Sequence, residues 1–344
     1  MKALRSAACV SETDSNFGGM VFTSSIVAAS GLLIEHLNGV RSRVEGAMVL
    51  MSNIIDKVYG VDSKPLREIV FGVEDDEDEE GNSERTPDHE EDDDERSLAN
   101  PALSVAQSLV SLCFGRIVGR WKEGVFLREV PLVSDNLFEA LPNVPPAAVE
   151  SSNSICRQAD DDIKPLHGDG IIVDDADNSH DIVTGLRGVL EHVWGRQSDA
   201  IESEICEVLS VKNLREYFRK PGRGGFWDDH ISRYSKSRRK APIYWLLQSS
   251  KKNYGLWLYY HRLDKDTLFK ALVNYIEPKT RLENSCLETL RSQKAAAGAS
   301  SKEGDPSKRA VFFGDRNSTI AGASNRSSKT EWKWIRLRFP PRRI

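Results

Sequence analysis

The sequence predicts an α+β fold, predominantly helical, with a small antiparallel β-hairpin or sheet. Three observations carry that expectation. Apolar residues recur at helical spacing over several long windows. Two short aromatic-rich runs, "PIYWLLQSS" and "YGLWLYYH", stand on either side of Lys251, Lys252 and Asn253, as in a hairpin. The apolar fraction is 39% against 29% charged residues, so part of the 344-residue chain can bury a core and part cannot.

Taken in order, residues 1 to about 18 show no period and are expected to fray. From Ile26 to Tyr59 apolar side chains return at Leu33, Ile34, Leu37, Val40, Val44, Met48, Met51, Ile54, Ile55 and Val58, with Gly60 as the stop. This predicts one long or two shorter helices whose apolar face needs a partner surface. A strip from Glu74 to Arg96 follows, with fifteen acids and two bases. Like charges with no apolar surface predict a solvated linker or insertion over 74–98. The net charge of −5 therefore hides a basic body.

Residues 102–121 read as an apolar helix with Leu103, Ala106, Leu109, Val110, Cys113 and Val118 inward. "HGDGIIVDD" predicts a turn entering a short strand, Ile171 to Val173. Helices are expected over 180–196, 199–209 and 211–219, and Pro221, Gly222, Gly224 and Gly225 then interrupt the chain. After the hairpin, a helix is expected from about Asp264 to Ile276, with Asp264 or Asp266 as N-cap. Pro278 is expected to kink or restart it. Beyond Gln293 the Ala, Gly, Ser, Lys and Arg content predicts a disordered basic tail over 293–344.

Cys9, Cys113, Cys156, Cys206 and Cys286 form no CxxC pair, so neither a zinc knuckle nor a disulfide framework is predicted. Unpaired thiols fit a cytoplasmic protein. The apolar run Val21 to Ile34 is too short to span a bilayer, and the leader carries Glu12 and Asp14, so no membrane partner is expected.

The densest charge outside the acidic strip is "HISRYSKSRRK", where Arg233, Lys236, Arg238, Arg239 and Lys240 fall within eight positions beside Tyr234. Such a run neutralises DNA phosphates with strong salt dependence, or is simply a solvated face. If it binds, part of it turns inward to acids and about three cations reach phosphates. Tyr244, Trp245, Trp257, Tyr259 and Tyr260 suit base stacking, but alternation in a hairpin makes most of them core. Asp228 and Asp229 beside His230 read as caps or pins before they read as catalysts. "GRGG" at Gly222 to Gly225 lacks a GK[ST] sequel and reads as a turn.

The segment "LREYFRKPG" with "FWDDHISRYSKSRRKAPIYWLLQSSKKNYGLWLYYHRLDKDTLFKALVNYIEPKTRLE" resembles the C-terminal part of adenine-specific DNA methyltransferases of the BREX (phage-defence) type and of fused restriction–modification methylases. "SLVSLCFGRIVGRW", "DGIIVDD" and "MSNIIDKVYGV" are similar to helices and a strand of the same family. The resemblance covers roughly residues 45–292. It implies a helical segment over 1–73 and a target-recognition and helical scaffold domain over 99–292, rather than a Rossmann methyltransferase core. It also implies double-stranded DNA as partner, S-adenosylmethionine as cofactor of the complete enzyme, and a methyltransferase catalytic subunit or other defence-system protein as companion.

The family's glycine-containing cofactor loop and Asn-Pro-Pro-Tyr motif have no counterpart: "NPAL" at Asn100 lacks the second proline and the aromatic, and "NVPP" at Asn143 has the wrong order. No catalytic or cofactor-binding residue and no metal ligand is assigned to this chain. The DNA-binding set is Arg233, Tyr234, Lys236, Arg238, Arg239 and Lys240. The ending "EWKWIRLRFPPRRI" reads as a truncated or frame-shifted terminus, so the chain is expected to be a separate subunit or a gene fragment, inactive alone. A non-enzymatic module that binds protein or RNA is the alternative.

Overall fold

The computed structural model describes residues 11–14, 17–60, 100–127, 142–149, 169–236, 239–240, 242–300 and 335–337. The expected acidic linker, 74–98, lies outside them. In chain order the elements are β1 (Met20–Val21), α1 (Ile26–Tyr59), α2 (Pro101–Ile117), β2 (Phe126–Leu127), β3 (Ile171–Val173), α3 (Ile182–Trp194), α4 (Ser198–Val208), α5 (Leu214–Arg219), α6 (Phe226–Arg233), β4 (Ser235–Lys236), β5 (Arg239–Lys240), β6 (Tyr244–Ser249), β7 (Gly255–Tyr259), α7 (Thr267–Ala271), a π-helical turn (Leu272–Ile276), α8 (Glu277–Ser300) and β8 (Ile335–Leu337). The fold is mostly helical, with a small antiparallel sheet in the order β3-β7-β6-β8, a short parallel pair β1–β2, and a two-stranded ribbon β4–β5.

Helix α2 is the centre. Pro at N1 and the Asn100 side chain, which accepts from Leu103 N at 3.1 Å, start it. Every residue from Val105 to Ile117 except Gln107 and Ser108 is buried or nearly so, with Val105, Ala106 and Leu109 through Ile117 fully inside. A helix apolar on most of its circumference must be covered on most sides. It packs on α1 and α3, and its end meets the aromatic cluster of the sheet. Gly115 is required there: a β-carbon would sit 2.4 Å from the Trp121 ring.

The sheet's inner face carries alternate residues of the hairpin. Tyr244 and Leu246 of β6, with Trp257 and Tyr259 of β7, enter the main core with Phe114, Phe218 and Phe226. Leu247, Leu256 and Leu258 face the other way and join Ile171, Val173, Ala271 and Tyr275 in a smaller core. The strict period of two explains the split, so each hairpin strand feeds two cores. Phe114 centres the first, with ring centroids 4.4 Å from Tyr244, 5.2 Å from Phe226 and 5.8 Å from Trp257.

Two expectations shift at the chain ends. The segment expected to fray contains Glu12 and Phe17, both buried, Phe17 edge-on to Trp121 at 5.1 Å. The tail expected from residue 293 is helical through Ser300, and Ile335–Leu337 pairs antiparallel with Leu247–Ser249. Other parts of that tail lie outside the described residues.

Pro278 does not end its helix. It has no N–H for the Asn274 carbonyl. The chain answers with a π turn over Leu272–Ile276, where Glu277 N bonds Leu272 O. The line of α7 then continues into α8. Asp266 holds the N-cap position, while the Asp264 carboxylate accepts from Asp266 N and the Thr267 hydroxyl.

Candidate nucleic-acid interface

The ribbon β4–β5 lies between Tyr234 and Ile243, and both of its roots are fixed at one residue. His230, buried in α6, presents Nε2 to the backbone N–H groups of Ile243 and Tyr244, at 3.1 and 3.2 Å. Its own carbonyl accepts from Tyr234 N at 3.1 Å. A ring that accepts at Nε2 holds its proton on Nδ1 and is neutral. Burial first, then the nearby Arg120 and Arg233 charges, push its pKa down to about 3. His230 is therefore a structural acceptor that closes the base of the ribbon.

Below it lies a buried charge cluster. Glu12 accepts from Ser111 Oγ at 2.7 Å and pairs with Arg233 at 3.2 Å. Arg233 also donates to Ser108 Oγ at 3.0 Å. Arg120 donates to the Tyr234 hydroxyl and to the Glu12 carbonyl, and its guanidinium lies over the Trp121 and Tyr234 rings at 4.1 and 5.2 Å. Two cations around one buried carboxylate tie the N-terminal segment, α2 and α6 together.

The predicted DNA-binding residues thus divide. Arg233 and Tyr234 turn into the molecule, held by Glu12, Ser108 and Arg120. Lys236 stands opposite Arg239 in the ribbon, and Lys240 opposite Ser235. Arg238 lies outside the described residues. The register puts cations at three of the ribbon's four paired positions, Lys236, Arg239 and Lys240, with its roots held at His230.

A second polar cluster braces the sheet from the other side. Arg215 donates to Asp174 at 2.7 Å and to both oxygens of Asp181 at 2.8 Å. Arg219 holds Asp174 at 2.5 Å and the Asn253 carbonyl, in the hairpin turn, at 2.9 Å. Burial alone would raise the Asp181 carboxyl, but hydrogen bonds from Arg215 and from Thr184 outweigh it and hold the group below the usual carboxylate range. Asp181 is also the N-cap of α3, accepting from Thr184 N at 3.0 Å. Asp229, whose pKa is raised by burial, accepts from Tyr217 OH at 2.6 Å and so pins α6 to the preceding helix α5, where the sequence predicts a pin on the following segment.

Sequence reasoning missed Glu12, Ser111 and Arg120. Their partners lie about a hundred residues or more away, so no local pattern marks them. The one available signal is a pair of acids, Glu12 and Asp14, ahead of a basic body.

These residues do not fit the cofactor that the sequence resemblance implies. The loop leaving β3 contains Asp174 and Asp181, whose carboxylates are occupied by Arg215 and Arg219, and β3 itself is a three-residue antiparallel strand. Among the described residues no glycine loop joins a parallel strand to a helix in the way a nucleoside cofactor is cradled.

No protein-family model matches the chain. The adenine-specific methyltransferase BrxX of Escherichia coli O9:H4 (strain HS) is 27% identical to it over 142 residues. That stretch is 38% of this chain and 11% of that enzyme, so the chain spans only a small part of its relative's length. The likeness, though weak, relates the chain to an adenine-specific methyltransferase. Among the described residues no helix is long and apolar enough to cross a membrane.

Proposed function

We propose that this chain is the DNA-contacting specificity and scaffold part of an S-adenosylmethionine-dependent adenine-N6 DNA methyltransferase in a phage-defence or restriction–modification system. Its counterpart in the family is the C-terminal region, and the catalytic residues come from outside this sequence, from another polypeptide or an N-terminal domain. The observation that carries the reading is the cation-bearing ribbon whose two roots converge on His230. A ribbon fixed at its base delivers cations to phosphates at little ordering cost, and the likeness to an adenine-specific methyltransferase supplies the substrate class. The chain contributes positioning of the duplex. Extrusion of adenine and methyl transfer belong to the catalytic partner, in the cytoplasm.

The test is duplex DNA binding by fluorescence anisotropy over a range of salt, for the wild type and for K236A/R238A/R239A/K240A. Wild type should bind with a steep log–log salt slope. The variant should lose about three units of slope, roughly one per phosphate contact, with circular dichroism unchanged. Equal affinity and slope in a folded variant would sink the reading and favour the protein-binding alternative. The purified chain alone should transfer no labelled methyl group to DNA, since proximity of donor and extruded base is what the reaction needs.

A further inference from the structure

Helix α1 carries a stripe that outruns its own cover. Leu33, Leu37, Val40, Val44, Ala47, Met51, Ile54 and Val58 alternate in steps of four and three, a heptad seam without interruption. At the inner end the helix packs on α2 and α4, with Val40 buried and Leu33 against the main core. The same stripe then continues past them. Leu50 is 62% exposed, Met51 61%, Ile54 54% and Val58 67%. With Val44, Met48, Ile55 and Tyr59 the outer half shows an apolar arc about 180° wide, taking 100° per residue. That is broader than the seam of a two-stranded coil, and wide enough for a helix seated in a groove or against two neighbours.

The flanks choose the occupant. Charges bordering the seam on this stretch are Arg41, Arg43 and Lys57, all basic; Arg41 pairs with Glu45 one turn on, at 3.4 Å, and Glu35 and Asp56 stand on the far side of the helix. A second copy paired antiparallel would set Arg43 against Lys57 of its mate, and paired parallel would gain no ion pair across the seam. We propose that the outer half of α1, Arg41 to Tyr59, is a docking surface for a helical segment of another protein, one whose apolar ridge is bordered by acidic side chains. The seam gives the affinity, and the cationic borders select the partner and its register. This surface is independent of the DNA-binding reading.

The probes are two labelled peptides of about four heptads with Leu at the seam positions, one with Glu and one with Lys on the flanks. The Glu-flanked peptide should bind the full chain saturably and at least tenfold more tightly than the Lys-flanked one. M51E/I54E should abolish binding without loss of fold, and R43E/K57E should reverse the preference. Several results would overturn the proposal. Equal binding of both peptides would remove the role of the flanks. A concentration-dependent dimer in sedimentation, lost in M51E/I54E, would make the occupant a second copy. A monomer that binds neither peptide would mean the face does not dock a helix. Flotation with anionic phospholipid vesicles in place of peptide binding would make it a lipid surface.

Discussion

The base of the ribbon and the outer half of α1 invert each other. At the base, polar and charged groups are buried and most are answered, Glu12 Oε1 by Ser111 and Arg233 and the Ile243 and Tyr244 N–H groups by His230, while His230 Nδ1 and the Tyr244 hydroxyl have no hydrogen-bond partner among the described residues. On the outer helix, apolar groups stand in solvent. The first region uses expensive desolvated contacts to fix geometry, and removing one partner leaves another stranded. The second holds apolar area that folding did not use, which is available for association. Substitutions should therefore be severe in the first and almost silent, for stability, in the second.

The largest effect is expected for Glu12→Ala, which takes the carboxylate from the largely buried Arg233 and from Ser111 and leaves Arg120 only the backbone carbonyl and Tyr234. Urea unfolding should show a loss of about 3–5 kcal/mol, the range for breaking a buried ion pair. His230→Ala should follow, at about 3 kcal/mol, because a cavity and two orphaned backbone donors add up. Asp174→Asn should cost about 2–3 kcal/mol by weakening two guanidinium contacts at once. M51E/I54E on α1 should change stability by no more than about 0.5 kcal/mol. If the helix variant proved as damaging as Glu12→Ala, the distinction between the two regions would collapse.

Acid sharpens the same comparison. His230 binds its proton more weakly in the folded chain than in the unfolded one, so the unfolded state takes up the extra proton as pH falls. Its contribution is whole above about 6.5 and is lost progressively between that value and about 3. The slope from this one group is at most about 1.4 kcal/mol per pH unit. Asp181, held low by Arg215 and Thr184, adds a loss only below the ordinary carboxylate range. Chemical denaturation at successive pH values should show the slope between those limits flatten in His230→Gln, which keeps an acceptor but does not titrate.

Much of the scaffold is legible in the sequence because its elements are locally periodic. The α2 pattern, the strand at Ile171–Val173 and the paired runs of β6 and β7 each announce their form within a single window. The polar framework of the site is not legible, since it is assembled by distant partners. Arg233 reads as one more cation in a basic run, and only the placement of Glu12 reveals it as an interior one. Tyr234, named with the same run, is likewise claimed by Arg120. The exposed stripe of α1 is visible as periodicity, but periodicity alone does not say where its cover ends.

The π turn before Pro278 acts as a change of phase. One additional residue taken up in a helix turns everything after it by about 100°. With this phase the continuing helix brings Lys279 to Asp175, at 3.0 Å, while Tyr275 inside the turn reaches Asp169 at 2.7 Å. The two ends of β3, at Asp169 before it and Asp175 after it, are thus met by two neighbouring points on a distant helix. A single-residue deletion within Leu272–Ile276 would remove that phase, turning Lys279 away from Asp175 and setting the Pro278 ring against the carbonyl one turn back.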